Sequence, residues 1–297
     1  MIEHKYTNGK HYFIWESNII KREIYTKLRA IIESSRTYEP DNIWLENNKQ
    51  IADEFLQSIN MGQLLAMRDS IVKNKVVQRY GTMNKHIKNV AADFYGQNTK
   101  RLSHGEVAPI RGNMDIIALA KKWDFPPLNL MRGILLTKYE APVIFDIINA
   151  GASPTLLTPF ERRQLTRATK HDTANTTNER ERRGQAQDAE DAFVRFFESF
   201  DISLITQDSL AIHQIESHGR AISTPDMLFA DDVYINNIQV KWIDYKDYVL
   251  TDIKFMHKSN SDQAAKYNAK WGKGALIYGR GLVEGVEIAD TMILSGI

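Results

Sequence analysis

Residues 238–246, Ile-Gln-Val-Lys-Trp-Ile-Asp-Tyr-Lys, constrain the fold more than any other stretch of this chain. β-branched and aromatic residues suit a strand, and strand side chains alternate faces with period two. Ile238, Val240, Trp242, Asp244 and Lys246 therefore share one side, and Gln239, Lys241, Ile243 and Tyr245 share the other. The first side is apolar as far as Trp242 and then turns charged. An acid and a lysine emerge together at the end of a buried face, where a charged pair is costly without further partners. Just upstream, Asn236-Asn237 tolerates the positive φ of a tight hairpin turn. Short strands at 227–229 and 233–235 lead into that turn. Pro225 fixes φ in the approach and places Asp226 at the hairpin entrance.

This pattern suits magnesium-dependent phosphodiester chemistry. Magnesium takes oxygen ligands, commonly one or two carboxylates, and completes its shell with water and substrate phosphate. The hairpin can bring Asp226 beside Asp244, with a backbone carbonyl near Tyr245 as a further ligand. Lys246 can then position or activate a water, or stabilise charge on the pentavalent phosphorus. Glu190, one turn into a helix ahead of the sheet, can complete the metal shell. Manganese is expected to substitute for magnesium. The bland alternative is a cross-strand ion pair on a solvated face, since Asp-x-Lys alone is a common pairing.

Upstream the pattern is helical. Ser17 reads as the N-cap of a helix over 17–36, with Ile20, Ile24, Leu28, Ile31 and Ile32 at helical spacing. Two more helices fall within 50–76, broken near Asn60-Met61-Gly62, and Ile87, Val90, Ala91 and Phe94 mark another short one. Asn113 reads as the cap of a helix that Asp124-Phe125-Pro126-Pro127 stops, because proline removes a donor and restricts the residue before it. Leu128, Met131, Ile134 and Leu135 form the next helix. Residues 113–140 thus have the skeleton of a helix-turn-helix unit or of an ordinary αα-hairpin. In the first case Arg132 and Lys138 could meet phosphates.

Gly151, Ser153 and Pro154 break the helical pattern before a charged stretch. It carries Arg162, Arg163 and Arg167, then a polar run over 173–178, then Arg182 and Arg183. It reads either as solvated helices or as a basic linker that grips a phosphate backbone. A domain boundary is expected near Gly184. Beyond it come a helix over 186–200 bearing Phe193, Phe196, Phe197 and Phe200, a short strand over 202–206 and a polar loop through Ser217-His218-Gly219. The hairpin follows, then a helix over 261–271, a buried strand over 275–278 and another within 286–294. Gly272-Lys273-Gly274 and Gly279-Arg280-Gly281 bracket the 275–278 strand and read as turn glycines. His213 and His218 read as surface histidines.

The whole chain has 297 residues and a formal net charge of +1, so any nucleic-acid surface must be a local patch. Cysteine is absent, which excludes disulfides and thiolate metal sites and fits a reducing compartment. The first residues lack an apolar signal core, and no apolar run approaches the roughly 18 residues needed to span a bilayer. An intracellular protein of nucleus or cytoplasm is the expectation.

The segment Ser223-Thr224-Pro225-Asp226-Met227-Leu228-Phe229, with Trp242-Ile243-Asp244-Tyr245-Lys246, resembles the TPD-motif family of PD-(D/E)xK nucleases. That family includes codanin-interacting-nuclease-like proteins and is related to archaeal Holliday-junction-resolvase-like proteins. The resemblance extends to Gln263, Tyr267 and the run from Gly272 to Tyr278, and back to Glu190. The helices over 113–140 resemble the family's helix-turn-helix segment more loosely. The resemblance implies a two-part α+β protein. An α-helical, nucleic-acid-binding region over 1–184 would precede a restriction-endonuclease-like α/β core with a central mixed sheet over 185–297. It implies a site of Glu190, Asp226, Asp244 and Lys246, with Gln263 facing it from the following helix.

Asp244 stands where eukaryotic relatives carry glutamate, as the general PD-(D/E)xK pattern allows, and the basic 161–183 stretch matches poorly. Tyr267 and Lys273 are further candidates for contact with bases and backbone, although Tyr267 with Trp271 also reads as core. The expected activity is endonucleolytic cleavage of branched or structured DNA, by a fold that often works as a homodimer. An RNA-processing nuclease and a catalytically idle scaffold are the rival readings.

Overall fold

The computed structural model describes residues 2–96, 99–101, 107–109, 114–149, 156–172 and 179–296. The chain opens with strands β1 (Ile2–Thr7), β2 (Lys10–Trp15) and β3 (Ile19–Ile20). Helices α1 (Arg22–Ser34), α2 (Asp41–Asn47), α3 (Lys49–Phe55) and α4 (Met61–Phe94) follow, then an antiparallel pair, β4 (Thr99–Arg101) and β5 (Val107–Pro109). Next come α5 (Ile116–Trp123), α6 (Pro127–Leu135), α7 (Ala141–Asn149), α8 (Pro159–Lys170) and α9 (Glu179–Glu198). The remainder is β6 (Leu204–Thr206), α10 (Gln207–His218), β7 (Met227–Ile235), β8 (Ile238–Lys246), α11 (Lys254–Trp271), β9 (Ala275–Tyr278), β10 (Leu282–Val283) and β11 (Met292–Ser295). The protein is thus mixed α+β, and among the described residues no helix is long and apolar enough to cross a membrane.

Chain contacts define two units. One gathers Met1–Leu28, Phe55–Met67 and Glu181–Ile297; the other gathers Arg29–Glu54 and Arg68–Arg180. The first 28 residues therefore group with the C-terminal part, not with the helical region expected over 1–184.

The first unit holds a seven-stranded mixed sheet in the order β1-β2-β7-β8-β9-β11, with β6 also paired to β7. The hairpin β1–β2 turns at Asn8-Gly9, both at positive φ, and β2 runs parallel to the end of β7. Asn-Gly between alternating residues is a strong hairpin signal. Strand β6 pairs with the start of β7, and a register shift between Leu228 and Val233 separates the two partnerships. The two short strands expected over 227–235 are one bulged strand, and Asn236 and Asn237 take the positive φ that their turn requires.

One sheet face packs on α9. Phe193 and Phe197 meet Phe13, Trp15, Phe229 and Ile243 there, with Phe197 and Phe229 edge to face at 5.0 Å. On the other face Trp242 meets Tyr267 of α11 at 5.0 Å. Parallel β8 and β9 are joined through α11, the crossover that parallel pairing requires. Close approach explains two of the glycines. A Cβ on Gly274 would lie 2.1 Å from the Trp242 ring, and one on Gly279 would lie 1.9 Å from the Tyr245 hydroxyl.

Several elements differ from the sequence expectation. Ser17 caps no helix; its Oγ accepts from Ser295 N at 3.0 Å, beside the edge strand β11. The short helix expected around Ile87 is the end of the 34-residue α4. The polar loop expected through Ser217 is the helix α10, which Gly219 closes at a φ of +72°. Helix α11 begins seven residues earlier than the expected 261.

In the second unit α5, α6 and α8 pack together. Asp115 caps α5, accepting from Ile117 N at 2.9 Å, while the expected cap Asn113 lies outside the described residues. Asp124 ends α5 in the left-handed region, and Pro127 opens α6. Thr158 and Glu161 form a reciprocal capping box on α8. Glu161 is fully buried and accepts from Tyr95 at 2.8 Å, Tyr139 at 3.0 Å and Lys138 at 3.1 Å. Lys138, itself exposed, thus pairs with Glu161. Gly151, Ser153, Pro154 and the polar run 173–178 lie outside the described residues.

Candidate active site

The charged end of β8 is built by two adjacent strands and a helix. Asp226 immediately precedes β7, and Asp244 stands two residues before the end of β8. Met227 pairs with Ile243, so the two aspartates flank a paired position of the hairpin. Both are buried, at 8% and 2% exposure. Tyr245 N donates to Asp226 Oδ2 at 2.6 Å, and the Asp226 carbonyl accepts from Gln207 N at 3.0 Å. Lys246 lies on the same strand face as Asp244 and forms an ion pair with its Oδ2. That oxygen has no hydrogen-bond donor in regular alignment, only the ammonium against it.

Helix α11 closes this face. Gln263 Nε2 lies 3.3 Å from Asp244 Oδ1 and 2.9 Å from the Tyr267 hydroxyl, which donates to Thr224 O at 3.1 Å. Tyr267 is buried against Trp242, so its ring belongs to the core and is not open for base stacking; only its hydroxyl reaches the site. Behind Lys246 runs a buried polar chain. Tyr248 donates to Asn260 Oδ1 at 2.8 Å, and Asn260 Nδ2 donates to the Tyr278 hydroxyl at 2.9 Å.

Glu190 enters from α9. It lines a cleft of about 200 Å³ with Asp191, Arg195, Gln207, Asp208 and Asp226. The electrostatics follow from three acids and one lysine in little water. Burial, then Asp244 and Glu190, push the Asp226 carboxyl up to about 8. Burial raises Asp244 against the pull of Lys246. Burial and Asp244 raise Glu190. Burial works against the Lys246 ammonium, but the charge and contact of Asp244 outweigh it and raise that group. Among the described residues no group of three acids or histidines stands at metal-ligating separation.

The structure thus brings Asp226, Asp244, Lys246 and Gln263 together, with Glu190 within electrostatic reach. The other candidates lie elsewhere. Lys273 is exposed in the turn after α11. Arg132 is half-buried on α6, and Arg163 is exposed on α8. Arg162 donates to Leu157 O at 3.2 Å, and Arg167 pairs with Asp115 at 2.7 Å. Arg182 and Arg183 fall in the first turns of α9, where their side chains lie outside the described residues. His213 and His218 are exposed on α10.

The sequence reading missed Gln214. It is buried on α10, where its Oε1 accepts from Ile222 N at 2.8 Å and Ser223 N at 2.9 Å, and its Nε2 donates to Ser223 O at 2.6 Å. This one amide fixes the segment that delivers Thr224-Pro225-Asp226. A glutamine in a stretch read as a polar loop gave no signal.

The residues that deliver and hold Asp226 and Asp244 lie within one matched segment. Residues 160–295 match the family described as "Protein of unknown function TPD sequence-motif". The TPD match covers the whole C-terminal constellation and less than half of the chain. Over 77 residues the chain is 35% identical to "Uncharacterized protein L539" of Acanthamoeba polyphaga mimivirus, a stretch that is 25% of this chain and 28% of that protein. The chain therefore spans little more than a quarter of that curated relative's length. No solved structure matches.

Proposed function

We propose that this protein is a metal-dependent phosphodiesterase of nucleic acids, with a restriction-endonuclease-like core. One observation carries the reading. Asp226 and Asp244 are buried side by side at the end of a hairpin, with Lys246 seated on Asp244 and one carboxylate oxygen lacking a regular donor. Such an arrangement costs stability, and clustered buried acids with strongly shifted protonation mark functional sites.

The residues fit a divalent cation of the magnesium type. Three acids face a single ammonium, so positive charge is missing, and the Asp244 oxygen against Lys246 has no regular hydrogen-bond donor. Two carboxylates are the usual protein share of a magnesium shell. Asp226 and Asp244 would hold the ion, and Glu190 stands by as an outer carboxylate. When bound, such an ion lowers the pKa of a coordinated water and polarises the phosphate.

The chain's own groups do the rest. Tyr245 N and Gln207 N fix the Asp226 carboxylate and backbone. Gln263 steadies Asp244 from α11. The Lys246 ammonium, held beside Asp244, offers its charge to the phosphoryl oxygens as negative charge builds there. Glu190, on the cleft wall, can accept the proton of the attacking water. The water oxygen bonds to phosphorus, the ester P–O bond breaks, and the departing oxygen takes a proton from solvent. One end carries a phosphate and the other a hydroxyl.

The resemblance of these residues to TPD-motif nucleases supports the same reading. We assign nucleic-acid holding to the helical unit, where Arg163 is exposed on α8 and α5–α6 form the helix-turn-helix-like pair. The test is incubation of pure protein with magnesium and a panel of flaps, junctions, duplexes and single strands of DNA and RNA. Cleavage that stops on chelation is expected, strongest on a branched DNA. Binding without cleavage on every substrate would make the fold an idle scaffold.

A further inference from the structure

A second cavity of about 220 Å³ lies one strand beyond Lys246 in the sheet-bearing unit. Asn18, Asn60, Gln63, Arg280 and Ser295 line it with three glycines, so the one charged group among its described lining residues is a guanidinium. This contrasts with the first cleft, whose wall carries four acids. The two regions are joined through the backbone, because Gly279 N donates to Lys246 O at 2.8 Å.

The polar groups here are preset. Arg280 Nε and Nη2 donate to the two oxygens of Asp247 at 2.8 and 3.2 Å. That fork fixes the guanidinium plane and leaves Nη1 turned towards the start of α4, 3.5 Å from where a Cβ on Gly62 would stand. Asn60 and Gln63 cap α4 reciprocally. Gln63 N donates to Asn60 Oδ1 at 2.8 Å, and Asn60 N donates to Gln63 Oε1 at 3.0 Å. The Gln63 side chain is thereby locked, 5% exposed, with its Nε2 against Gly281 and no acceptor in place for it among the described residues. That amide lines the cavity and can donate to a group that enters it. The helix start adds the positive end of a 34-residue dipole.

We propose that this cavity binds a phosphate group, and that in the working complex it holds a backbone phosphate of the strand whose neighbouring linkage lies at Asp226, Asp244 and Lys246. Arg280 Nη1, Gln63 Nε2 and the α4 N-terminus converge as donors, and no carboxylate on the wall opposes an anion. The cavity itself stands on its own donors; only the source of the phosphate rests on the nuclease reading.

The test uses the full chain and two variants. Gln63→Glu keeps the acceptor for Asn60 N and replaces the donor with an anionic oxygen of the same shape. Arg280→Met removes the guanidinium. In nitrogen–proton spectra of the wild type, inorganic phosphate should shift the Gln63 side-chain amide and the Gly279 and Gly281 amides saturably, and Gln63→Glu should abolish the shifts of the two glycines. In chelator, affinity for a labelled oligonucleotide should fall about tenfold in Gln63→Glu with the melting temperature held. The salt slope should drop by about one in Arg280→Met. Absence of phosphate shifts at those amides in the wild type overturns the site, whatever the variants do. Phosphate shifts with unchanged oligonucleotide affinity overturn the backbone assignment and leave a free-phosphate site. Absence of cleavage by the wild type on every substrate, with the shifts intact, would sink the nuclease reading and leave the cavity standing.

Discussion

The backbone N–H of Tyr245 donates to Oδ2 of Asp226 at 2.6 Å, so the entrance of β7 is fastened to the far end of β8. An asparagine at 226 can keep that bond through its carbonyl oxygen while removing a carboxyl whose ionisation burial, Asp244 and Glu190 all oppose. Asp226→Asn should therefore raise the unfolding free energy in metal-free buffer by roughly 1–3 kcal/mol. It should also abolish the rise in melting temperature that magnesium gives the wild type, since ligand stabilisation requires binding. Thermal melts of both proteins with and without magnesium check this. A metal-induced rise in the variant equal to that of the wild type would show that Asp226 holds no ion.

Gln214 supplies all three of its hydrogen bonds to the two residues ahead of Thr224. Gln214→Leu fills the space but leaves Ile222 N and Ser223 N unmet, at a cost of about 2–3 kcal/mol. Asp226 should lose its fixed approach, so cleavage should slow and the magnesium requirement should rise. Denaturant unfolding and a magnesium titration of the rate measure the two effects. A stability loss with an unchanged magnesium requirement would confine Gln214 to folding.

Gly274 sits under the Trp242 ring, and a methyl group there would stand 2.1 Å from it. Trp242 is fully buried and its indole N–H donates to Gly272 O at 2.9 Å, so the ring cannot swing aside freely. Gly274→Ala should destabilise by about 2–3 kcal/mol through overpacking. Gly184→Ala, with open space around it inside α9, is the control and should stabilise by about 0.5–1 kcal/mol. Denaturant midpoints of the two variants decide the matter.

Glu161 gives the helical unit a pH dependence of known sign. Burial pushes its carboxyl up, but the Thr158 backbone and side chain, Tyr95 and Lys138 outweigh burial and bring it from the ordinary 4.5 down to about 2. A depressed folded value means that the stabilisation is complete above pH 4.5 and is lost as pH falls towards 2. Glu161→Gln should cost roughly 3 kcal/mol at pH 7, and the gap to wild type should close in acid. Unfolding curves across that range provide the comparison. A gap independent of pH would mean that shape and not charge is at work.

The legible part of this chain was the part whose chemistry is local. The alternation in 238–246, the Asn236-Asn237 turn and the Pro126-Pro127 stop depend on neighbours in sequence, and each stands where the pattern put it. The aspartate pair was legible because one strand period and one hairpin place it. The misreadings arose where distant partners decide the outcome. Strands β1 and β2 are strands because β7 offers an edge to β2, and the Asn8-Gly9 signal between them went unread. Helix α10 has no clean apolar stripe, with Ile212 and Ile215 exposed, and so resembled a loop. Glu161 sat in a run of charges that looked solvated, whereas tyrosines and a lysine from the turns after α4 and α6 hydrogen-bond to it.

The most direct measurement of the central claim is the single-turnover cleavage rate, in magnesium, of the best substrate from the panel by wild type, Asp244→Asn and Lys246→Met. Each variant protein should be shown to be folded by its melt. Both substitutions should slow cleavage at least a hundredfold while leaving substrate affinity in chelator within a few-fold of wild type. Variants that cut as fast as the wild type would place the chemistry elsewhere and contradict the account.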